Sequence, residues 1–113
     1  MSMKPGYAIL FTANLPALVA FYRDTVGLAL QWEQPDLVRF DGLMLHFAEP
    51  ARSDGTPRQD TAWKPVFMTD DVPAAHARLT AAKTRVRDMQ TYDGRTGFDA
   101  IDPDGNIFRI ANG

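Results

Sequence analysis

The sequence predicts an α+β fold built from two tandem strand–helix–three-strand (βαβββ) modules, and three observations carry that expectation. Short runs of alternating apolar and polar residues recur along the chain, the period of half-buried strands. Two other stretches carry helical spacing, each introduced by a capping side chain and a proline. Those two starts, Asn14-Leu15-Pro16-Ala17 and Asp71-Val72-Pro73-Ala74, stand 57 residues apart in a chain of 113, which reads as a duplication.

In the first half, Tyr7 to Thr12 is a strand with Tyr7, Ile9 and Phe11 on one face and Ala8 and Leu10 on the other. Asn14 is a helix N-cap, and Pro16 is tolerated in the first turn, where no amide donor is needed. Leu15, Leu18, Val19, Tyr22 and Val26 follow at helical spacing, and Gly27 ends the helix. Three strands are expected next, at Leu28 to Glu33, Leu37 to Phe40 and Leu43 to Ala48. Asp41-Gly42 makes a hairpin turn between the last two.

Glu49 to Thr61 is polar, rich in Pro, Gly, Ser and Asp, and without periodicity, so it reads as the long joint between halves and a candidate lid. The order then repeats: a strand at Lys64 to Thr69, and a helix capped by Asp71 with Val72, Ala75, Leu79 and Ala82 on its apolar stripe. A charged edge strand at Arg85 to Thr91 and another strand at Gly97 to Ile101 follow. Asp102-Pro103-Asp104-Gly105-Asn106 is dense turn chemistry feeding a final strand. In that strand Ile107 and Arg109 share one face, and Phe108 and Ile110 the other. The whole is one domain, with a first module at about 5–49, a loop at 50–62 and a second module at about 63–112.

Composition narrows the function. The net charge of −2, without a Lys/Arg cluster, argues against a nucleic-acid partner. With no cysteine, disulfides, thiolate metal sites and a cysteine nucleophile are excluded. No apolar stretch reaches the length of a membrane span and no leader-like segment opens the chain, so no membrane association is expected and a cytoplasmic location is. Phosphate-cradling glycine loops and nucleophile elbows are absent from the sequence.

The paired modules, the helix segment Phe21-Tyr22-Arg23-Asp24 with Val26-Gly27-Leu28, and the terminal Asp-Pro-Asp-Gly-Asn strand together resemble the vicinal oxygen chelate superfamily. That superfamily includes glyoxalase I, extradiol dioxygenases, and fosfomycin- and bleomycin-resistance proteins. The resemblance implies that the modules form a curved mixed sheet around a concave site, with helices outside. It also implies four metal-ligand positions, which here hold Tyr7, His46, Lys64 (or Pro65) and Arg109. The pattern of metal-using relatives would place His, Glu or His, His, and Glu there.

Of these four only His46 is a good donor for a divalent ion, since lysine and arginine are cations and arginine has no lone pair to give. No metal and no cofactor are therefore expected. His76, the only other histidine, is assigned to the outer helical layer. The nearer likeness is to the metal-free bleomycin-resistance branch, through Asp41-Gly42-Leu43-Met44-Leu45-His46-Phe47, Trp63 and the Arg-bearing last strand. That branch implies a homodimer that takes up a small molecule.

The candidate ligand-binding residues are Tyr7, Phe11, Trp32, Met44, His46, Lys64 and Arg109, with Ile9, Ile107 and Trp63 beside them. Aromatic walls with a few polar groups are what a small-molecule site needs. Lys64 and Arg109 would hold an anionic or carbonyl-bearing ligand, and Tyr7 and His46 would orient it. The same residues admit plainer assignments: Tyr7, Phe11 and Met44 as core, His46 as a satisfied strand histidine, and Trp63 as a boundary residue. Sequestration, as in antibiotic resistance, is the leading role. The alternatives are a divalent-metal lyase, isomerase or dioxygenase with another ligand set around His46, a metal-free enzyme using Tyr7 or His46 as acid or base, and a scaffold with a filled cavity.

Overall fold

A computed structural model describes residues 2–49, 51, 53–58 and 62–113. The chain divides into two compact units, Met1–Arg52 and Ser53–Gly113. Each has its own sheet and one α-helix of the expected position, as the βαβββ pattern requires.

In the first unit β1 (Ala8–Thr12) leads into α1 (Leu15–Ala20), followed by β2 (Leu30–Glu33), β3 (Leu37–Phe40) and β4 (Leu43–Phe47). The strand order is β1-β4-β3-β2, with β1 parallel to β4 and the other pairs antiparallel. α1 packs on β4, and the core between them holds Leu15, Leu18, Phe21, Tyr22, Val38, Phe40, Leu43 and Leu45, all buried. Helical spacing placed Leu15, Leu18 and Tyr22 on the helix's apolar stripe, and strand alternation put Leu43 and Leu45 on one face; Phe21 joins them in the core although it was not part of the expected stripe. Fully burying side chains of this kind stabilises by about 1.5–3 kcal/mol each before conformational entropy is set against it.

The second unit repeats the plan. β5 (Val66–Met68) leads into α2 (Val72–Ala81), then β6 (Arg85–Val86), β7 (Gln90–Tyr92), β8 (Arg95–Ile101) and β9 (Ile107–Ala111). β5 is parallel to β9, β9 pairs with β8, and both β6 and β7 pair with β8. In each unit the first strand therefore lies beside the last, the mark of the duplication. α2 lies against β6, β8 and β9, burying Val72 and Leu79 with Phe98, Ala100, Phe108 and Ile110.

The helix starts match bond for bond. The Asn14 side chain accepts the Ala17 N–H at 3.3 Å, and Asp71 accepts that of Ala74 at 3.1 Å. Each cap is itself oriented by a threonine two residues earlier: Thr12 Oγ1 accepts the Asn14 N–H, and Thr69 Oγ1 that of Asp71. Such caps contribute about 1 kcal/mol each.

Several boundaries differ from the sequence expectation. The first helix does not run on as α-helix to Val26. From Phe21 to Val26 it widens into a π-helix that ends at Gly27, where the Gly27 and Leu28 N–H groups both donate to the Tyr22 carbonyl. The second strand begins at Leu30 instead of Leu28, and the fifth spans only Val66–Met68. The edge strand expected over Arg85 to Thr91 is broken into β6 and β7 by Arg87–Met89. Asp88 is a poor strand former, and Arg87 keeps only one ladder bond, from its N–H to the Asp99 carbonyl at 2.9 Å. His76 is half-buried and faces its own sheet, ring edge against Phe98 at 4.8 Å, with Nε2–H donating to the Arg87 carbonyl at 3.0 Å. No helix among the described residues is long and apolar enough to cross a membrane.

The turn before β9 is organised by Asp102, which is 0% exposed. Its Oδ1 accepts the N–H groups of Asp104 and Asn106, both at 2.9 Å, and its Oδ2 accepts Asn106 Nδ2–H at 2.9 Å. Residues 53–58, part of the loop expected at 50–62, are tied to this turn; positions 50, 52 and 59–61 of that loop lie outside the described residues. Ser53 donates to Asp104, Arg58 Nε to Asn106 Oδ1 at 2.6 Å, and the Arg58 N–H to the Gly105 carbonyl. Arg85 spans both, donating to the carbonyls of Gly55 and Asp102. Gly105 has φ +90°, and a Cβ there would run into the Thr56 carbonyl oxygen, so only glycine fits.

Candidate functional site

The face of the first sheet turned away from α1 gathers five of the seven candidate residues. Alternation puts Ile9 and Phe11 of β1 on it, and register carries the face across the sheet. Ile9 pairs with Met44, Met44 with Arg39, and Arg39 with Trp32, while Phe11 pairs with His46 and His46 with Leu37. Tyr7 stands just ahead of β1 at the same parity. Tyr7, Ile9, Phe11 and Trp32 are 40–50% exposed, and Met44 is buried at 8%. Apolar side chains of this size, half in solvent on one sheet face, are the feature expected of a contact surface.

Polar groups are few on this face. The Phe11 and His46 rings meet edge to face at 5.4 Å. His46 Nδ1–H donates to the Phe47 carbonyl at 2.8 Å, which fixes the ring and leaves Nε2 as its second polar atom. The Arg39 guanidinium carbon lies 3.6 Å from the Tyr7 ring centroid, a cation–π contact, and its Nε–H donates to the Phe40 carbonyl at 3.0 Å. Arg39 was not among the residues singled out from the sequence.

Lys64 and Arg109 belong to the second unit, on the face of its sheet turned away from α2. There Val66 pairs with Arg109 and Arg109 with Asp99, a second residue that sequence reading missed. Asp99 bridges the two cations: Lys64 Nζ donates to Oδ2 at 2.8 Å and Arg109 Nη1 to Oδ1 at 3.2 Å. Partial burial pushes the Asp99 carboxyl up, but the hydrogen bonds and charges of Lys64 and Arg109 outweigh it and hold the group below the usual carboxylate range. Arg109 lies over Gly97, where a Cβ would sit 2.8 Å from its Nη2. The cations expected to face a ligand thus already share one carboxylate. A shallow cavity of about 210 Å³ opens beside them, lined by Arg87, Asp88, Gln90 and Asp99. Trp63 precedes β5 and is 71% exposed.

The metal that the resemblance brings with it does not fit these residues. His46 keeps one free nitrogen, whereas Lys64 and Arg109 are cations bound to Asp99. Among the described residues no three His, Cys, Asp or Glu side chains are grouped to hold an ion.

Comparison with known proteins agrees with the fold. The chain belongs to the glyoxalase/bleomycin resistance protein/dioxygenase superfamily, whose family model matches residues 4–110. No curated protein sequence matches it. Among solved structures it is similar to a lactoylglutathione lyase from Agrobacterium tumefaciens, at 27% identity and TM-score 0.69, covering 96% of this chain and 92% of that one. A protein of unknown function from the same organism matches with TM-score 0.81 at 21% identity, covering 100% and 96% of the two chains. An antibiotic-binding protein from Streptomyces sp. CB03234 matches with TM-score 0.73 at 22% identity, covering 99% and 98%.

Proposed function

We propose that this superfamily member is a metal-free, small-molecule-binding protein that holds a partly aromatic ligand on the face bearing Tyr7, Phe11, Trp32, Met44 and His46. The observation that carries the reading is the row of half-exposed aromatic side chains on one sheet face, with Arg39 and His46 as its polar groups. Flat ring systems stack on such surfaces with offset or edge geometry, each contact adding about 0.5–1.5 kcal/mol beyond area burial. The antibiotic-binding relative supports sequestration as the biological role, and a homodimer belongs to the same proposal, to be checked by sedimentation equilibrium.

The donor chemistry favours binding over metal catalysis, because replacing carboxylate and imidazole donors by lysine and arginine removes the means of holding an ion. The test is calorimetric titration of the protein with a neutral aromatic probe, 2-naphthamide, in wild type and Trp32→Ala. Saturable binding that weakens several-fold in the variant is expected. Failure of the wild type to bind either this amide or the matching carboxylate, 2-naphthoate, or a melting temperature that rises only when Ni²⁺, Mn²⁺ or Zn²⁺ is added, would overturn the proposal.

A further inference from the structure

Arg39 sits in the middle of the aromatic face, with uncharged Met44 and Trp32 as its register partners on either side. It is half-buried, pressed on Tyr7, and uses one of its five N–H groups on the Phe40 carbonyl. Among the described residues no carboxylate bonds to it. Arg23, Lys64 and Arg109, by contrast, are each paired with an aspartate. A guanidinium held against a ring keeps its planar fork in place, so little freedom is lost when a carboxylate docks on it.

The structure assigns to Arg39 the role of specificity-determining residue: the ligand is a planar aromatic molecule carrying an anionic group, such as a carboxylate or phenolate, that pairs with this guanidinium. The assignment rests on the reading that this face binds an aromatic molecule, and goes beyond it by fixing the ligand's charge. A cationic ligand is disfavoured there by the same unpaired charge. His46 supplies a second polar point. As a diagonal neighbour of Arg39 across β3 and β4 it stands about 7–8 Å away between backbones, roughly the span of a bicyclic ring. The neutral imidazole accepts at Nε2 when Nδ1–H is given to Phe47, so a ligand hydroxyl or N–H at the far end of the ring has a partner.

The test compares two probes that differ only in charge, 2-naphthoate and 2-naphthamide, titrated by calorimetry at pH 7.5 and low salt into wild type, Arg39→Gln and Arg39→Lys. The readout is the ratio of the two affinities. Wild type should prefer the carboxylate by about ten- to a hundredfold, the size of a charge-assisted hydrogen bond. Arg39→Gln should bring the ratio near one, and Arg39→Lys should keep part of it. If Arg39→Gln does not fold, the wild-type ratio should still shrink as salt is raised, because the pair is partly solvent-exposed. Equal affinities in wild type, a preference that survives Arg39→Gln, or a ratio indifferent to salt overturns the assignment and leaves the aromatic-ligand reading standing. Binding of neither probe overturns both.

Discussion

Removing the Asp102 carboxylate should damage this protein more than any other single truncation in the turn before β9. The group is fully buried, and its two oxygens take up the N–H groups of Asp104 and Asn106 and the Asn106 side-chain amide. Asp102→Ala leaves two buried backbone donors and one side-chain donor without that acceptor. An unsatisfied buried donor costs about 1–3 kcal/mol, so the two backbone groups alone come to about 2–6 kcal/mol, and about 3–5 is the expected loss. Asn106 also anchors Arg58, so residues 53–58 should loosen with it. Asp102→Asn keeps one oxygen for the backbone donors but sets an amide NH₂ against Asn106 Nδ2, and should lose less, about 1–2 kcal/mol. Urea denaturation followed by circular dichroism measures both, as a fall in midpoint at constant slope. A domain of this size has about 5–15 kcal/mol to lose, so the effect is large enough to see. An alanine variant within about 1 kcal/mol of wild type would mean that the carboxylate does not organise the turn.

Two further outcomes follow from the second unit. Gly105→Ala should destabilise by about 2–4 kcal/mol, from the left-handed backbone and the clash with the Thr56 carbonyl, and should make the 53–58 segment more sensitive to limited proteolysis; an unchanged melting temperature would refute this. Asp99 is held below the ordinary carboxylate range, so the stability it contributes is present above the unfolded pKa of about 3.9 and lost as pH falls through the folded value. The gap between wild type and Asp99→Asn should therefore be widest near neutral pH and narrow progressively once pH falls below about 3.9. Because the Lys64 and Asp99 side chains are 39% and 20% exposed, that gap should be no more than about 1 kcal/mol, and one that did not narrow as pH fell below the unfolded pKa would contradict the linkage.

Much of this structure was legible in the chain because the signals were local. A cap followed by proline marks both helix starts, and alternation sorts Ile107 and Arg109 from Phe108 and Ile110, which are indeed the half-buried and buried pairs. What was missed depended on register. Arg39 has the parity of Leu37, and the two-residue Asp41-Gly42 turn pairs Phe40 with Leu43, which puts Arg39 opposite Met44. Sequence alone contained that step. Asp99 was harder, since its pairing with Arg109 runs across the longer turn built on Asp102, whose register comes from buried hydrogen bonds and not from turn length. The π-helical widening after Ala20 has no sequence signature at all: Phe21 and Tyr22 keep helical spacing while the hydrogen bonds shift by one residue.

The duplication separates what the fold needs from what the chemistry needs. Both units keep the threonine–cap–proline start, the first strand beside the last, and a helix over one sheet face, because each is required to bury a core. The opposite faces are under no such constraint, and they have diverged into different chemistry. One carries aromatic rings around a guanidinium that no described carboxylate pairs, the other two cations closed on Asp99. A metal-binding ancestor of this plan would lose its ion once lysine and arginine replaced donors, without touching any core residue. The fold is thus fixed by residues that bury a core, and on the reading proposed above it is the exposed faces that would choose a ligand.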